Sequence, residues 1–331
     1  MLNRRAWIRS AAGGGAALAL SPGLLRALQH FGPGALIAQD SLLKKAIPST
    51  GEMLPVIGLG SSATFASVAR GEEITALKEV FKAMVERGAT LFDTAPGYGV
   101  SEQVAGEIVN ELGIAGRMFW ATKLNAAGRG SGGKADPAAA RAQVEESFAR
   151  LKRPMIDLIQ VHNMSDVPTH LAVLEGYKKD GRVRYIGVTT TFEPQYPGLI
   201  EVMKREPLDF IGIDYAADNR QVEEVILPLA QERKIAVLAY APFGRTSLFR
   251  RIGDRPLPDW AAEVDAKTWA QLLLKWVVSH PAITAVTPAT SQARHMIDNI
   301  GGGVGRLPTP AQRKALADFV DALPPAPARP R

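Results

Sequence analysis

Three short stretches of the sequence, TLFD at residues 90–93, FWATK at residues 119–123 and LIQVH at residues 158–162, share one pattern. In each, an apolar run too short for an ordinary helix leads directly into an ionisable side chain. Strands that are buried on both faces have continuous apolar runs of this length, because neither face alternates with solvent. We therefore expect three parallel strands whose ends carry polar groups.

The same kind of run recurs along the chain and alternates with helical patterns. Eight strands are predicted, at residues 56–59, 90–92, 119–122, 158–161, 185–188, 210–213, 236–239 and 284–286. Residues 72–86 place apolar side chains on one helical face and stop before Gly88, and Asp136-Pro137 has the composition of a helix start. Regular alternation of strand and helix indicates a parallel α/β sheet.

Two arrangements of such a sheet compete. An open dinucleotide-binding sheet would need a third glycine and a helix after Gly58-Leu59-Gly60, but Ser61-Ser62 follow instead. Eight strands in 331 residues fit a closed (β/α)8 barrel of the TIM type. We therefore predict the barrel, with its functional residues at the carboxyl ends of the strands.

Four polar residues meet that expectation. Asp93, Lys123 and His162 end the predicted second, third and fourth strands, and Tyr98 lies in the loop after Asp93. The ends of neighbouring strands lie side by side in a barrel, so these groups are expected to converge. The other histidines are interpreted as structural or exposed, and no pair of them has zinc-ligand spacing.

The residues around this cluster resemble those of a known family. LFDTAPGYGVSEQVAG at residues 91–106 strongly resembles the aldo/keto reductase signature, and PVIGLG at residues 55–60 matches the family's first strand. A lysine after the third strand and a histidine after the fourth also fit, and the resemblance spans roughly residues 48–300. It implies that Asp93, Tyr98, Lys123 and His162 are the catalytic residues.

The resemblance implies that Tyr98 is a general acid. A tyrosine pKa is normally near 10, and an adjacent ammonium such as that of Lys123, itself paired with Asp93, favours the phenolate and should lower it. Tyr98 would protonate a carbonyl oxygen as hydride reaches the carbon, and His162 would orient that oxygen. In the reverse reaction, Tyr98 would act as the base.

The resemblance also implies NADP extended over the barrel mouth, with NAD as an alternative. Thr189 and Thr190 stand where the family usually has serine and asparagine, and Gly212 stands where it usually has glutamine, so Asp214 is a substitute candidate. Tyr240 is expected to stack on the nicotinamide ring. The remaining cofactor candidates follow the last two strands: Pro242, Gly244, Arg245, Ser291, Arg294, Asp298 and Asn299. Among these, Ser291 and Arg294 suit the 2′-phosphate and Asn299 the adenine edge.

The substrate pocket is expected to be shaped by loops 125–134 and 244–260 and by the C-terminal stretch. Trp120 and Trp260 are candidate pocket walls. These features leave aldehydes, ketones, quinones and aldoses open as substrates.

Composition narrows the function classes. Four of the 39 basic residues and none of the 33 acidic residues lie in residues 1–38, which leaves 35 basic against 33 acidic residues elsewhere. A folded part that is nearly neutral argues against a nucleic-acid binder. The absence of cysteine excludes disulfides and thiolate catalysis and is compatible with any compartment.

Residues 1–38 resemble an export signal. NRRAWIR at residues 3–9 is similar to the twin-arginine consensus, and a short, glycine-broken apolar run follows. That run is too short and interrupted for a stable membrane anchor. We expect export to the periplasm through the twin-arginine (Tat) translocase, which generally moves folded and often cofactor-loaded proteins.

The sequence therefore predicts an export signal at residues 1–38, a reductase barrel at 39–323 and a disordered tail at 324–331. The predicted activity is NADP(H)-dependent reduction of aldehydes or ketones. Two alternatives stay open: an NADP(H)-binding redox sensor or binding subunit with little turnover, and an NAD(P)-dependent aldose or alcohol dehydrogenase.

Overall fold

The structure is a computed structural model and describes residues 41–62, 64–69, 71, 74–128 and 133–326. The predicted export signal, residues 129–132 of the glycine-rich loop and residues 327–331 of the predicted tail lie outside these ranges. Within the described ranges, no helix combines the length and the apolar character needed to cross a bilayer.

Eight parallel strands form one sheet in sequence order, numbered after the two hairpin strands, β1 (Lys44–Ala46) and β2 (Met53–Pro55), that precede them in the chain. They are β3 (Leu59–Gly60), β4 (Leu91–Asp93), β5 (Phe119–Leu124), β6 (Ile156–Val161), β7 (Val183–Thr190), β8 (Phe210–Asp214), β9 (Ala236–Tyr240) and β10 (Ala285–Val286). Parallel bridges from Ile57 to Val286 and from Gly60 to Ala289 join the first and last strands. The sheet is thereby closed, which confirms the predicted (β/α)8 barrel.

The first strand meets the last through a close backbone approach. A Cβ on Gly60 would lie 2.5 Å from the carbonyl oxygen of Thr287, and a Cβ on Gly58 would lie 2.8 Å from Leu91 Cγ. Both distances are far below van der Waals contact. Gly60 is therefore required by barrel closure, and Gly58 by the close packing of the first strand against Leu91 of β4.

Each predicted strand overlaps an observed one, but a hairpin was not predicted. It pairs β1 (Lys44–Ala46) with β2 (Met53–Pro55) in antiparallel register. Ile47 and Leu54 from this hairpin join the interior apolar cluster that contains Phe119 and Phe210, the first residues of β5 and β8. The hairpin therefore covers the amino-terminal end of the barrel.

Helices surround the sheet in the described part of the chain. They are α1 (Thr64–Ala69), α2 (Ile74–Glu86), α3 (Ser101–Glu111), α4 (Pro137–Leu151), α5 (Val167–Lys179), α6 (Tyr196–Arg205), α7 (Ile226–Glu232), α8 (Ser247–Ile252), α9 (Trp269–Val278), α10 (Ala293–Gly301) and α11 (Pro310–Asp321). Asp136 caps α4 through the Ala138 amide, as its sequence predicts. The apolar faces of these helices form the outer core with the outward side chains of the strands.

Candidate active site

A buried ion pair lies at the carboxyl ends of β4 and β5. Lys123 Nζ donates to Asp93 Oδ2 at 2.7 Å and to the carbonyl oxygen of Thr94 at 2.8 Å. The side chains of Lys123 and Asp93 are only 2% and 6% exposed. Two charges at this depth are tolerated because each satisfies the other.

The burial of this pair changes the proton affinity of both partners. Burial raises the pKa of Asp93, and the Lys123 ammonium opposes that effect only in part. Burial by itself would lower the pKa of Lys123, but the charge and the hydrogen bond of Asp93, together with the nearby Tyr98 and Glu102, outweigh it, and the net direction is upward. Lys123 is thus held as an ammonium ion inside the barrel mouth.

Tyr98 and His162 lie over this pair and are partly exposed. The Tyr98 ring centroid is 5.3 Å from Lys123 Nζ and 5.8 Å from the His162 ring, with the two rings nearly perpendicular at 84°. The structure therefore brings the four predicted catalytic residues together. The buried charges lie beneath, and the two groups that can reach a substrate face outward.

Two further side chains belong to this cluster. Tyr240, at the end of β9, donates from its hydroxyl to Asp93 Oδ1 at 3.3 Å, and Gln160 Nε2 donates to the same hydroxyl at 3.0 Å. Gln160 belongs to the LIQVH stretch, but no role was predicted for it from the sequence. The sequence signal that points to Gln160 is the alternation of side chains along a strand: Gln160 lies two residues before His162 and therefore faces the same side.

Two further residues of the signature at 91–106 support the tetrad, the four residues Asp93, Tyr98, Lys123 and His162, from outside. Glu102 on α3 is fully buried and accepts a hydrogen bond of 2.6 Å from the hydroxyl of Thr122, next to Lys123. A Cβ on Gly106 would lie 2.4 Å from the carbonyl oxygen of Arg150, so only glycine allows α3 to approach α4 this closely. These two signature positions therefore fix the helix that follows the Tyr98 loop.

The opposite side of the mouth is built differently. The hydroxyl of Thr189 accepts a hydrogen bond of 3.2 Å from the backbone N–H of Asn163, next to His162. Thr190 is fully buried, and its hydroxyl donates to Gln195 Oε1 at 2.6 Å and accepts from the Phe192 amide at 3.1 Å. Since its donor and acceptor are used inside the chain, Thr190 has a structural role rather than the predicted cofactor contact.

The loop after β9 brings three more candidates together. Pro242 is buried, and the residues Gly244, Arg245 and Thr246 all have left-handed backbone angles, with φ of 55°, 51° and 73°. The exposed Arg245 pairs with Asp214 at 3.3 Å. Burial raises the pKa of Asp214 to about 6, although Arg245 opposes the rise.

The last four cofactor candidates lie in the segment after β10 and differ in their surroundings. Ser291 is partly exposed and Arg294 is exposed at the start of α10, where a helix amino terminus favours anions. Asp298 instead accepts hydrogen bonds from Thr268 and Gln271 on or beside α9, which gives it a structural role and corrects its assignment to the cofactor. Asn299, on the same helix, is buried at 4% exposure.

The two candidate pocket walls lie elsewhere. Trp120 is buried and packs edge-on against Phe92, with ring centroids 5.8 Å apart, in the core between strands and helices. Its assignment to the substrate pocket is wrong, because neighbouring strand residues point to opposite faces and Lys123 takes the inner one. Trp260, in the turn Asp259–Val264, is partly buried and packs against the same outer core.

Comparison with known proteins agrees with this arrangement. Residues 56–310 match the sequence profile of the Aldo/keto reductase family. The chain belongs to this family. An aldo-keto reductase of Bacillus subtilis, YhdN, is 31% identical over 207 residues, which cover 60% of this chain and 62% of the relative, less than two thirds of its length. An aldo-keto reductase of Strobilurus tenacellus, str7, is 25% identical over 69% of this chain and 76% of its own.

Solved structures share the fold of this aldo/keto reductase. One of Klebsiella pneumoniae, described in complex with NADPH, has a TM-score of 0.69 and 23% identity over 87% of this chain and 98% of its own. The holo form of an enzyme from Bacillus halodurans has a TM-score of 0.68 and 23% identity over 84% and 96% of the two chains.

Proposed function

We propose that this aldo/keto reductase reduces aldehydes or ketones with NADP(H), with Tyr98 as general acid. The observation behind the proposal is the buried Asp93–Lys123 pair beneath the partly exposed Tyr98 and His162. A cation held this close to a phenol stabilises the phenolate that remains after proton transfer. The arrangement supports a proton donor at the mouth of the barrel.

Each residue of the cluster has a distinct task in this proposal. Asp93 keeps Lys123 charged and in place, and Lys123 stabilises the charge that develops on Tyr98 as its hydroxyl proton passes to the carbonyl oxygen. His162, at the side of Tyr98, donates a hydrogen bond to the same oxygen and holds the carbonyl in line. In the oxidative direction the same phenol accepts the proton of an alcohol.

The residues of the opposite side fit a dinucleotide in part. NADPH, when bound, supplies the hydride. The exposed Arg294, with Ser291 at the start of α10, offers donors for a phosphate, as relatives with NADP(H) lead us to expect. Arg245 and the left-handed backbone run at Gly244 offer a second anion-binding position. Thr190 and Asp298 are occupied by the chain itself. NAD remains the alternative cofactor, because Gln292 stands where the family often has a lysine or arginine.

The proposal is tested by following NADPH and NADH absorbance with a panel of aldehydes, ketones, quinones and aldoses. Carbonyl-dependent oxidation of NADPH supports the reductase. Tight binding of NADP(H) with no turnover of any carbonyl would contradict it and favour a redox sensor or binding subunit. Turnover found only with NAD(P)⁺ and an alcohol or aldose would favour a dehydrogenase.

We further propose that the chain is exported to the periplasm by the Tat translocase. The support is sequence alone: paired Arg4 and Arg5, then a spacer, two apolar residues and Arg9. Fusion of residues 1–45 to a reporter tests this, with Arg4 and Arg5 changed to lysine as the control. The unchanged fusion should reach the periplasm and the lysine fusion should stay inside. Equal export of both would contradict the proposal.

A further inference from the structure

The phenol of Tyr240 contacts both members of the buried ion pair. Its hydroxyl donates to Asp93 Oδ1 at 3.3 Å, and its ring centroid lies 5.3 Å from Lys123 Nζ, the same distance as that of Tyr98. The Lys123 ammonium therefore lies between two tyrosine rings. Only one of these phenols, Tyr240, is hydrogen-bonded to the carboxylate.

The Asp93 carboxylate sets the direction of these hydrogen bonds. A carboxylate oxygen only accepts, so the single hydrogen of the Tyr240 hydroxyl goes to Asp93. The hydroxyl oxygen then accepts from the Gln160 amide nitrogen at 3.0 Å. A directed chain of donors thus runs from Gln160 through Tyr240 to the carboxylate.

Gly212 provides the space for this phenol. A Cβ at position 212 would lie 2.4 Å from Tyr240 Cε2, 2.6 Å from Oη and 2.8 Å from Cζ. Gly212 and Asp214 are alternate residues on β8, and Asp214 is in register with Tyr240 on β9. Any side chain at position 212 would therefore displace the hydroxyl from Asp93.

The Tyr240 hydroxyl completes the hydrogen bonding of the buried Asp93 carboxylate. Asp93 Oδ2 accepts from Lys123 and Oδ1 accepts from Tyr240, so both oxygens have a donor. Without the hydroxyl, Oδ1 would lose its donor among the described residues, and Asp93 would be free to rotate. Lys123 would then lose the fixed partner that holds it beside Tyr98.

We propose that Tyr240 is a positioning residue: its hydroxyl fixes the Asp93 carboxylate, and through it the Lys123 ammonium, beside Tyr98. Gln160 and Gly212 hold Tyr240 in this orientation. This inference rests on the proposed carbonyl reduction, because it assigns Tyr240 a task in that reaction beyond the stacking on nicotinamide that resemblance implies.

The kinetic test separates the hydroxyl from the ring. Tyr240→Phe keeps the aromatic face and should lower kcat about tenfold while the Kd for NADPH, measured by fluorescence quenching, changes less than about twofold. Gln160→Met should lower kcat in the same direction and by less. The double variant should be no slower than Tyr240→Phe alone, because Gln160 acts through the hydroxyl.

A matched control and a second measurement protect the interpretation. Tyr177→Phe also removes a phenolic hydrogen bond to a carboxylate, Glu145, but far from the barrel mouth, and should leave kcat unchanged.

Urea unfolding of Tyr240→Phe, Asp93→Asn and the double variant needs no substrate. If the hydroxyl acts on the carboxylate, the double variant should lose less in urea midpoint than the two single losses added together.

The outcomes distinguish two failures. A wild-type protein that turns over no carbonyl would contradict the proposed function, and the urea cycle would still report whether the hydroxyl holds Asp93. Wild-type kcat in Tyr240→Phe, a change confined to the NADPH Kd, or strictly additive urea midpoints would each overturn the positioning role.

Discussion

The two sides of the barrel mouth use their polar side chains in different ways. At the ends of β4, β5 and β6, together with Tyr240 at the end of β9, buried groups hydrogen-bond one another: Asp93 accepts from Lys123 and Tyr240, and Gln160 donates to Tyr240. Beyond β9 and β10, exposed arginines lie on strained or helix-terminal backbone, as at Arg245 and Arg294. The first side is complete without a ligand, and the second offers charges that a ligand would neutralise.

The two sides therefore differ in their proposed tasks, which are acid–base chemistry and cofactor binding. The proposed acid–base chemistry depends on fixed distances, and the Asp93–Lys123 pair beneath Tyr98 is buried and paired before a substrate arrives. The proposed phosphate binding depends on available donors, which the exposed Arg245 and Arg294 offer. Variants of the first side should therefore change turnover and stability, and variants of the second side should change cofactor affinity.

The largest expected effect is that of Lys123→Met. It leaves the Asp93 carboxylate buried without its cation, which typically costs about 3–5 kcal/mol, and it removes the charge beside Tyr98. We expect a large loss in both kcat and the free energy of unfolding, measured by steady-state assay and urea titration. Lys204→Met, which removes an exposed lysine from α6, is the control and should change neither. A stable, active Lys123→Met protein would show that the first side is not organised by this pair.

Gly212→Ala should have the next largest effect. The added methyl would meet the Tyr240 ring at 2.4 Å, and overpacking of this kind costs about 1–3 kcal/mol. Stability and kcat are expected to fall together, because the displaced ring belongs to the catalytic side. Gly176→Ala on α5, where the nearest atom is 3.9 Å away, should be neutral or slightly stabilising. Equal behaviour of the two variants would remove the basis for the space argument.

Arg294→Ala tests the second side. Losing a charge-assisted contact with the 2′-phosphate should raise the NADPH Kd about tenfold and leave the NADH Kd and kcat unchanged. Arg205→Ala, at another exposed arginine, on α6, should affect neither Kd. A parallel rise in both Kd values would mean that Arg294 does not distinguish the two nucleotides.

Asp214→Asn should have the smallest effect, and one that depends on pH. Burial raises the pKa of Asp214 to about 6, so the folded state favours the protonated carboxyl, and that contribution to stability is lost as the pH rises through about 6. The variant should therefore melt about 2 °C above wild type at pH 8 and show little difference at pH 4. Exposed Asp254→Asn should give no such trend, and a constant difference across pH in Asp214→Asn would refute the assignment.

The fold and the tetrad could be predicted because their signals are local. A buried strand requires a continuous apolar run, and the residue that follows the run lies at the end of the strand. Asp93, Lys123 and His162 could therefore be placed from their sequence neighbours alone. Strand β1 of the hairpin, Lys44–Ala46, could not be predicted because a three-residue polar strand has no such run.

The errors have two causes. Trp120 and Thr190 were misjudged although alternation gave the answer: Trp120 lies an odd number of residues from Lys123, and Thr190 is adjacent to the inward Thr189, so each faces away from the mouth. Asp298 has a different cause, because its partners Thr268 and Gln271 lie about thirty residues earlier in the chain. A contact of that kind follows from helix packing and has no local signal.

The most direct test of the account is a single-turnover measurement on Tyr98→Phe. NADPH is first bound and its Kd determined, and the rate of hydride transfer to an aldehyde is then followed in the same sample. The account predicts a rate lower by about 10²–10⁴-fold with an NADPH Kd within about twofold of wild type. Hydride transfer at the wild-type rate, or a loss explained entirely by weaker NADPH binding, would contradict it.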